Sequence, residues 1–116
     1  MILGGSNYRG QLSTVMGSNE KVKLFCCTGW GTVILTETNT FKLSGFDIND
    51  YNIEELNIFC KNNEPIFMSG GAHHIAIGSK DKVLIISNRT KRTINFCTES
   101  PIKNVYSSAY DTFVIT

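Results

Sequence analysis

The apolar positions of this chain come in short runs, none longer than a strand. Runs rich in Val, Ile, Phe and Thr recur as VKLFCCT (22–28), TVILTE (32–37), TFKLSG (40–45), EPIFMS (64–69), HHIAIG (73–78), KVLIIS (82–87), TINFC (93–97), IKNVYS (102–107) and DTFVIT (111–116). β-Branched and aromatic side chains suit a pleated, half-buried surface, and turn formers such as Gly, Asn, Asp and Ser separate most of the runs. The pattern predicts an all-β protein. One stretch departs from it, FDINDYNIEELNIFCKNN (46–63), where Ile53, Leu56 and Ile58 around Glu54-Glu55 fit a helical turn about as well as a strand. It reads as an acidic insertion.

The runs also repeat. TGWGTVILT (28–36), GGAHHIAIG (70–78) and SAYDTFVIT (108–116) each start on a small residue, pass two variable positions and lead from a polar residue into an apolar strand. This aligns Thr32, His74 and Thr112 at spacings of 74 − 32 = 42 and 112 − 74 = 38. A second series, GGSNYRGQL (4–12), SGFDINDYN (44–52) and ISNRTKRTI (86–94), aligns Gly5, Gly45 and Ser87 at 45 − 5 = 40 and 87 − 45 = 42. Two independent landmarks sharing a period near 40, with several strands per unit, are the signature of propeller blades. Residues 1–116 are therefore expected to form one domain, a partial or abbreviated β-propeller of about three blade-like repeats with landmarks at 5–45, 45–87 and 87–116.

The segments GSNYRGQL (Gly5 to Leu12) and GGAHHIAI (Gly70 to Ile77), each with an apolar strand ahead of its small-residue turn, resemble the repeat of the regulator of chromosome condensation family. Cys27 also matches that family's small residue before the turn. The repeat's turn histidine is replaced by Gly31 and Asp111 in the outer units, Ser87 stands for a closing Gly, and the Gly-Gln-Leu run occurs once. The resemblance implies a β-propeller and a habit of binding proteins, on chromatin or small GTPases in some members. It does not carry exchange activity over to this chain.

Composition narrows the classes further. Lys plus Arg is 11 against 10 for Asp plus Glu, so no bulk charge draws the chain to nucleic acid or anionic lipid. The longest apolar run is about five residues, far below the roughly 18–20 that cross a bilayer, and the N-terminus does not read as a secretory signal. The expectation is a soluble intracellular protein, cytoplasmic or nuclear. Four cysteines at 26, 27, 60 and 97 show no CxxC spacing and include an adjacent pair, which argues for buried thiols rather than a disulfide framework or zinc site.

His73-His74 is all the histidine present. In the alignment above, His73 takes the turn histidine's place and His74 that of Thr32 and Thr112. Successive strand residues point to opposite faces, so the two rings should diverge instead of sharing a metal. A turn histidine has structural work available, in hydrogen-bonding backbone groups where the loop enters the strand. No phosphate loop, nucleophile elbow or paired-carboxylate motif occurs, and neither an enzyme nor a cofactor is expected.

What remains is surface. In an up-down-up unit the small-residue turns and the Gly-Ser-Asn turns emerge on one rim, which would carry Trp30 and Tyr110 at matching places with Tyr8, Arg9, Arg89, Lys91 and Arg92 nearby. Aromatics and Arg dominate binding hot spots. The first expectation is a non-enzymatic interaction module or scaffold that holds a protein partner or larger assembly by this rim. The alternative is a factor bound to a ribonucleoprotein or nucleic acid through phosphate contacts and stacking at the basic, aromatic rim. Met1 to Gly5 reads as the third strand of a repeat, and Ile102 to Thr116 as the first two strands of another. That complementarity predicts a strand-exchanged homodimer or an arc ordered against a larger partner.

Overall fold

The fold was obtained as a computed structural model, which describes residues 21–29, 31–45, 53–87 and 93–116. These residues form nine strands and one helix: β1 (Val22–Cys27), β2 (Gly31–Thr36), β3 (Phe41–Gly45), α1 (Ile53–Asn62), β4 (Phe67–Gly70), β5 (His74–Gly78), β6 (Lys82–Ser87), β7 (Thr93–Cys97), β8 (Asn104–Ser107) and β9 (Thr112–Ile115). All nine apolar runs become strands. Two start more than one residue later than the pattern predicts: β4, where Pro65 cannot donate to a ladder, and β8, which Pro101 precedes by three residues.

The strands pair in chain order as antiparallel meanders, giving a first sheet β1-β2-β3, a middle sheet β4-β5-β6-β7 and a last sheet β8-β9. The protein is mostly β, as the pattern predicts. The β2–β3 hairpin turns through Asn39, the one described non-glycine residue with positive φ (60°), a conformation that Asn tolerates. Thr36 closes this turn, its backbone N–H donating to the Thr40 carbonyl at 3.0 Å.

The sheets stack face to face. Cys26, Val33 and Leu35 of the first sheet form one core with Ile75, Ile77, Leu84 and Ile86 of the middle sheet. By strand alternation, Ala76 and Val83 point the other way, into a second core with Ile102 and Val105 of the last sheet. The middle sheet thus lies between the other two, and every residue of β5 is buried.

The acidic stretch contains a true helix. Leu56, Phe59 and Cys60 line one face of α1 and enter the first core, Glu54 and Glu55 occupy the first turn, and Lys61 the last, each charge on the side the helix dipole favours. Asn63 ends the helix by donating from backbone and side chain to the Phe59 carbonyl, with Pro65 two residues on. A bulge between Val22 and Leu24 sets Lys23 outside the β1–β2 ladder, and its ammonium pairs with Glu64 just past α1. The helix occupies the place between third and next first strand where the middle sheet has β7. Residues 46–52 lie outside the described ones.

The alignment of the middle repeat needs a correction. Three hairpin turns close with the same hydrogen bond, Thr28 N to Gly31 O, Gly71 N to His74 O and Ser108 N to Asp111 O, at 2.8, 2.9 and 2.9 Å. His74 is thus equivalent to Gly31 and Asp111, and Ile75, not His74, matches Thr32 and Thr112. The double glycine caused the slip: Gly71, not Gly70, opens the turn. With this shift the faces agree: Val33 and Leu35 face the middle sheet, Ala76 and Gly78 the last, and Phe113 and Ile115, at the equivalent places, lie on the exposed face of the last sheet.

Candidate functional site

The three equivalent turns lie side by side. Ala72 N donates to Ala109 O at 2.9 Å, tying the middle turn to the last. A Cβ on Gly29 would stand 3.0 Å from the Ala72 carbonyl oxygen, so the first turn meets the middle one backbone to backbone. Glycine and alanine at the second place of each turn permit this approach. The third places of the middle and last turns, His73 and Tyr110, then stand side by side along one edge of the stack.

Tyr110 is 74% exposed. A tyrosine held that far out on a hydrogen-bonded turn offers an apolar ring and a hydroxyl at little ordering cost. His73 is half-buried. Trp30 lies outside the described residues, although its turn neighbours Gly29 and Gly31 are described. Tyr8, Arg9, Arg89, Lys91 and Arg92 also lie outside them. Of the seven residues expected at the rim, Tyr110 is the one described, and it stands on the expected kind of turn. His73 was missed because the one-residue slip set it level with Gly31 and Asp111. Counting turn residues from Gly71 would have found it.

His74 serves the stacking. It is 7% exposed, and its Nε2 lies 3.1 Å from Thr112 Oγ1 in the last sheet, a hydrogen bond whose donor is set by the ring tautomer. A Cβ on Gly71 would collide with the imidazole and with the Ser108 carbonyl, so glycine is required where the ring lies. Burial pushes the His74 pKa below its ordinary value, and the nearby Asp111 carboxylate opposes the shift.

The cysteines offer little nucleophilic chemistry in the core. Burial pushes the Cys26 thiol far up, with Cys27 adding to the shift. Cys60 is raised to about 11, chiefly by burial, with Lys23 lowering it and Glu64 raising it. Both are protonated at neutral pH and poor thiolates. Cys27 and Cys97 are exposed. Among the described residues no group of three or more His, Cys, Asp or Glu is placed to hold a metal ion, and no helix is long and apolar enough to cross a membrane.

A second exposed surface lies on the outer face of the last sheet, where Tyr106, Phe113 and Ile115 are 54, 53 and 47% exposed. Tyr106 and Phe113 are cross-strand partners. No family model, curated protein or solved structure matches the chain.

Proposed function

We propose that this protein is a non-enzymatic interaction module, a propeller-like arc that holds a protein partner along the row of hairpin turns. The observation that carries the reading is the backbone tie between turns, Gly29 against Ala72 and Ala72 N to Ala109 O, which holds the three hairpin turns side by side. A rigid row ending in a tyrosine that is 74% exposed has the composition of a hot spot. The head-to-tail equivalence of the sheet faces supports a propeller-type arrangement, and Gly71-Ala72-His73-His74 keeps the resemblance to the regulator of chromosome condensation repeat, with His74 as its turn histidine.

The test is a matched purification of the partner on the wild-type chain and on a Trp30→Ala/Tyr110→Ala variant. Binding should weaken by at least about 2 kcal/mol while the melting temperature holds. An equal loss of fold stability would assign the two rings to packing. Measured across a salt series, the affinity should be nearly flat; a steep fall would favour the nucleic-acid reading, in which released counterions set the slope.

A further inference from the structure

We infer that a cavity between α1 and the β6–β7 pair binds a small monocarboxylate with an apolar body, its carboxylate on Lys82 and Asn95 and its body on Phe59. The inference goes beyond the partner-binding reading and does not depend on it. β5 runs from the Gly71–His74 turn to Gly78 and the chain returns at Lys82, which sets the cavity at the end of the stack opposite the turns.

The cavity has a volume of about 230 Å³ and is lined on one side by Phe59 and Asn63, on the other by Lys82, Asn95 and Cys97. Strand alternation explains its position. Leu84 and Ile86 turn toward the first sheet and fill the first core. Lys82 stands two places before Leu84 on the same face, and the register Lys82↔Cys97, Leu84↔Asn95 brings Asn95 and Cys97 onto that face too. The face therefore changes from aliphatic to polar at the start of β6 and along β7. α1 covers the aliphatic part with Leu56, Phe59 and Cys60, and ends at Asn62. The cavity is the space between that helix end and the polar part of the sheet.

Its polar groups point to the ligand's charge. Asn63 donates its backbone N–H and a side-chain N–H to the Phe59 carbonyl, and the neighbouring Glu64 is held by Lys23. Lys82 is then the one charged side chain lining the cavity, and among the described residues no carboxylate pairs with it. Beside it, Asn95 has no side-chain hydrogen bond among the described residues. An ammonium next to a carboxamide N–H donor makes a charge-assisted receptor for a carboxylate.

The two walls also fix the orientation. The helix wall is a C-terminal end, the negative pole of the dipole, which disfavours an anion. The carboxylate therefore belongs on the sheet side, and the ring of Phe59, 6% exposed, meets the apolar body. Concave sites that combine apolar walls with a few convergent polar groups are the common form of small-molecule sites. A volume of 230 Å³ is the share of about eight waters in the liquid. That admits a ring or short chain with one carboxylate, and one ammonium matches one carboxylate better than a phosphate dianion.

The cavity carries its own reporter. Cys97 lines it, whereas Cys27, the other exposed thiol described, ends β1 at the turn end of the stack. The full chain is treated with limiting iodoacetamide in the presence of phenylacetate, phenylacetamide or phenethylamine, and alkylation of each thiol is read by peptide mass spectrometry. Phenylacetate should slow alkylation of Cys97 saturably, with half-protection on the order of 1 mM for a ligand this small, and leave Cys27 unchanged. Phenylacetamide should need roughly fivefold more, the worth of a charge pair at an exposed site, and phenethylamine should not protect. Lys82→Gln should remove the difference between acid and amide. Asn95→Asp, which places a carboxylate in the cavity, should abolish protection by the acid and admit the amine. Three results on the wild-type chain would each overturn the inference: no protection of Cys97 by phenylacetate up to about ten times that concentration, equal protection by acid and amide, or equal slowing of Cys27. None of them touches the turn row, where partner binding is read separately through Tyr110.

Discussion

Between the first and middle sheets, Val33 and Leu35 meet Ile75, Ile77, Leu84 and Ile86, and α1 closes the side with Leu56, Phe59 and Cys60. Between the middle and last sheets, Ala76 and Gly78 stand where Val33 and Leu35 do, and they meet Val105 and Val114. The small residues let the last sheet approach closely: a Cβ on Gly78 would stand 3.2 Å from Val105 Cγ2. Less apolar surface is buried there, and polar ties take a larger share. His74 bonds Thr112, Ala72 N bonds Ala109 O, and Ile102 N bonds Lys80 O at 2.7 Å. Equivalent positions can thus support one architecture by burial at one junction and by hydrogen bonds at the next. The second route leaves a junction open to pH.

The largest expected effect lies in the first junction. Leu35 is fully buried, and Leu35→Ala should cost about 3 kcal/mol in urea unfolding, whereas Val105→Ala in the second junction should cost about half that. Equal costs would break the contrast.

Next come the close approaches. A Cβ at Gly71 collides with the His74 ring and the Ser108 carbonyl, and one at Gly70 collides with the Cys27 carbonyl. Gly71→Ala should cost roughly 2 kcal/mol. Both sites also face a backbone carbonyl that cannot shift readily, Ser108 for Gly71 and Cys27 for Gly70, so Gly70→Ala should cost about as much. Paired thermal melts check that equality.

Thr112→Val removes the partner of His74 at nearly constant volume and should cost about 1 kcal/mol. The same histidine gives the second junction its pH dependence. Its folded pKa lies below the ordinary value near 6.5, so below that pH the unfolded chain binds the proton first. This contribution to stability is intact above about 6.5 and declines as pH falls toward the folded pKa. His74→Gln should flatten that part of the profile; an unchanged slope between the two chains would remove the pH argument.

The smallest effect on stability is expected for Tyr110→Ala, within about 0.5 kcal/mol, since the ring is mostly in solvent. A larger loss would make the turn row part of the packing.

The sequence by itself determined the strands, because alternation and β-branched side chains act locally: all nine runs pair in chain order as short antiparallel hairpins. It also set Tyr110 between two strand-forming runs, where the structure has a turn joining β8 to β9. Register in the middle unit was another matter. Gly70 and Gly71 are interchangeable on paper, and a shift of one residue turns every strand side chain to the other face. Only the turn hydrogen bond from Gly71 to His74 and the burial of Ala76 against the last sheet decided it. Residues 53–62 were likewise open between helix and strand. Leu56, Phe59 and Cys60 fit one helical stripe, but a short helix gains its stability from the surface it packs on, here the first core. The partnership of His74 with Thr112, 38 positions apart, exists only because the sheets stack, and no local pattern encodes such a distance.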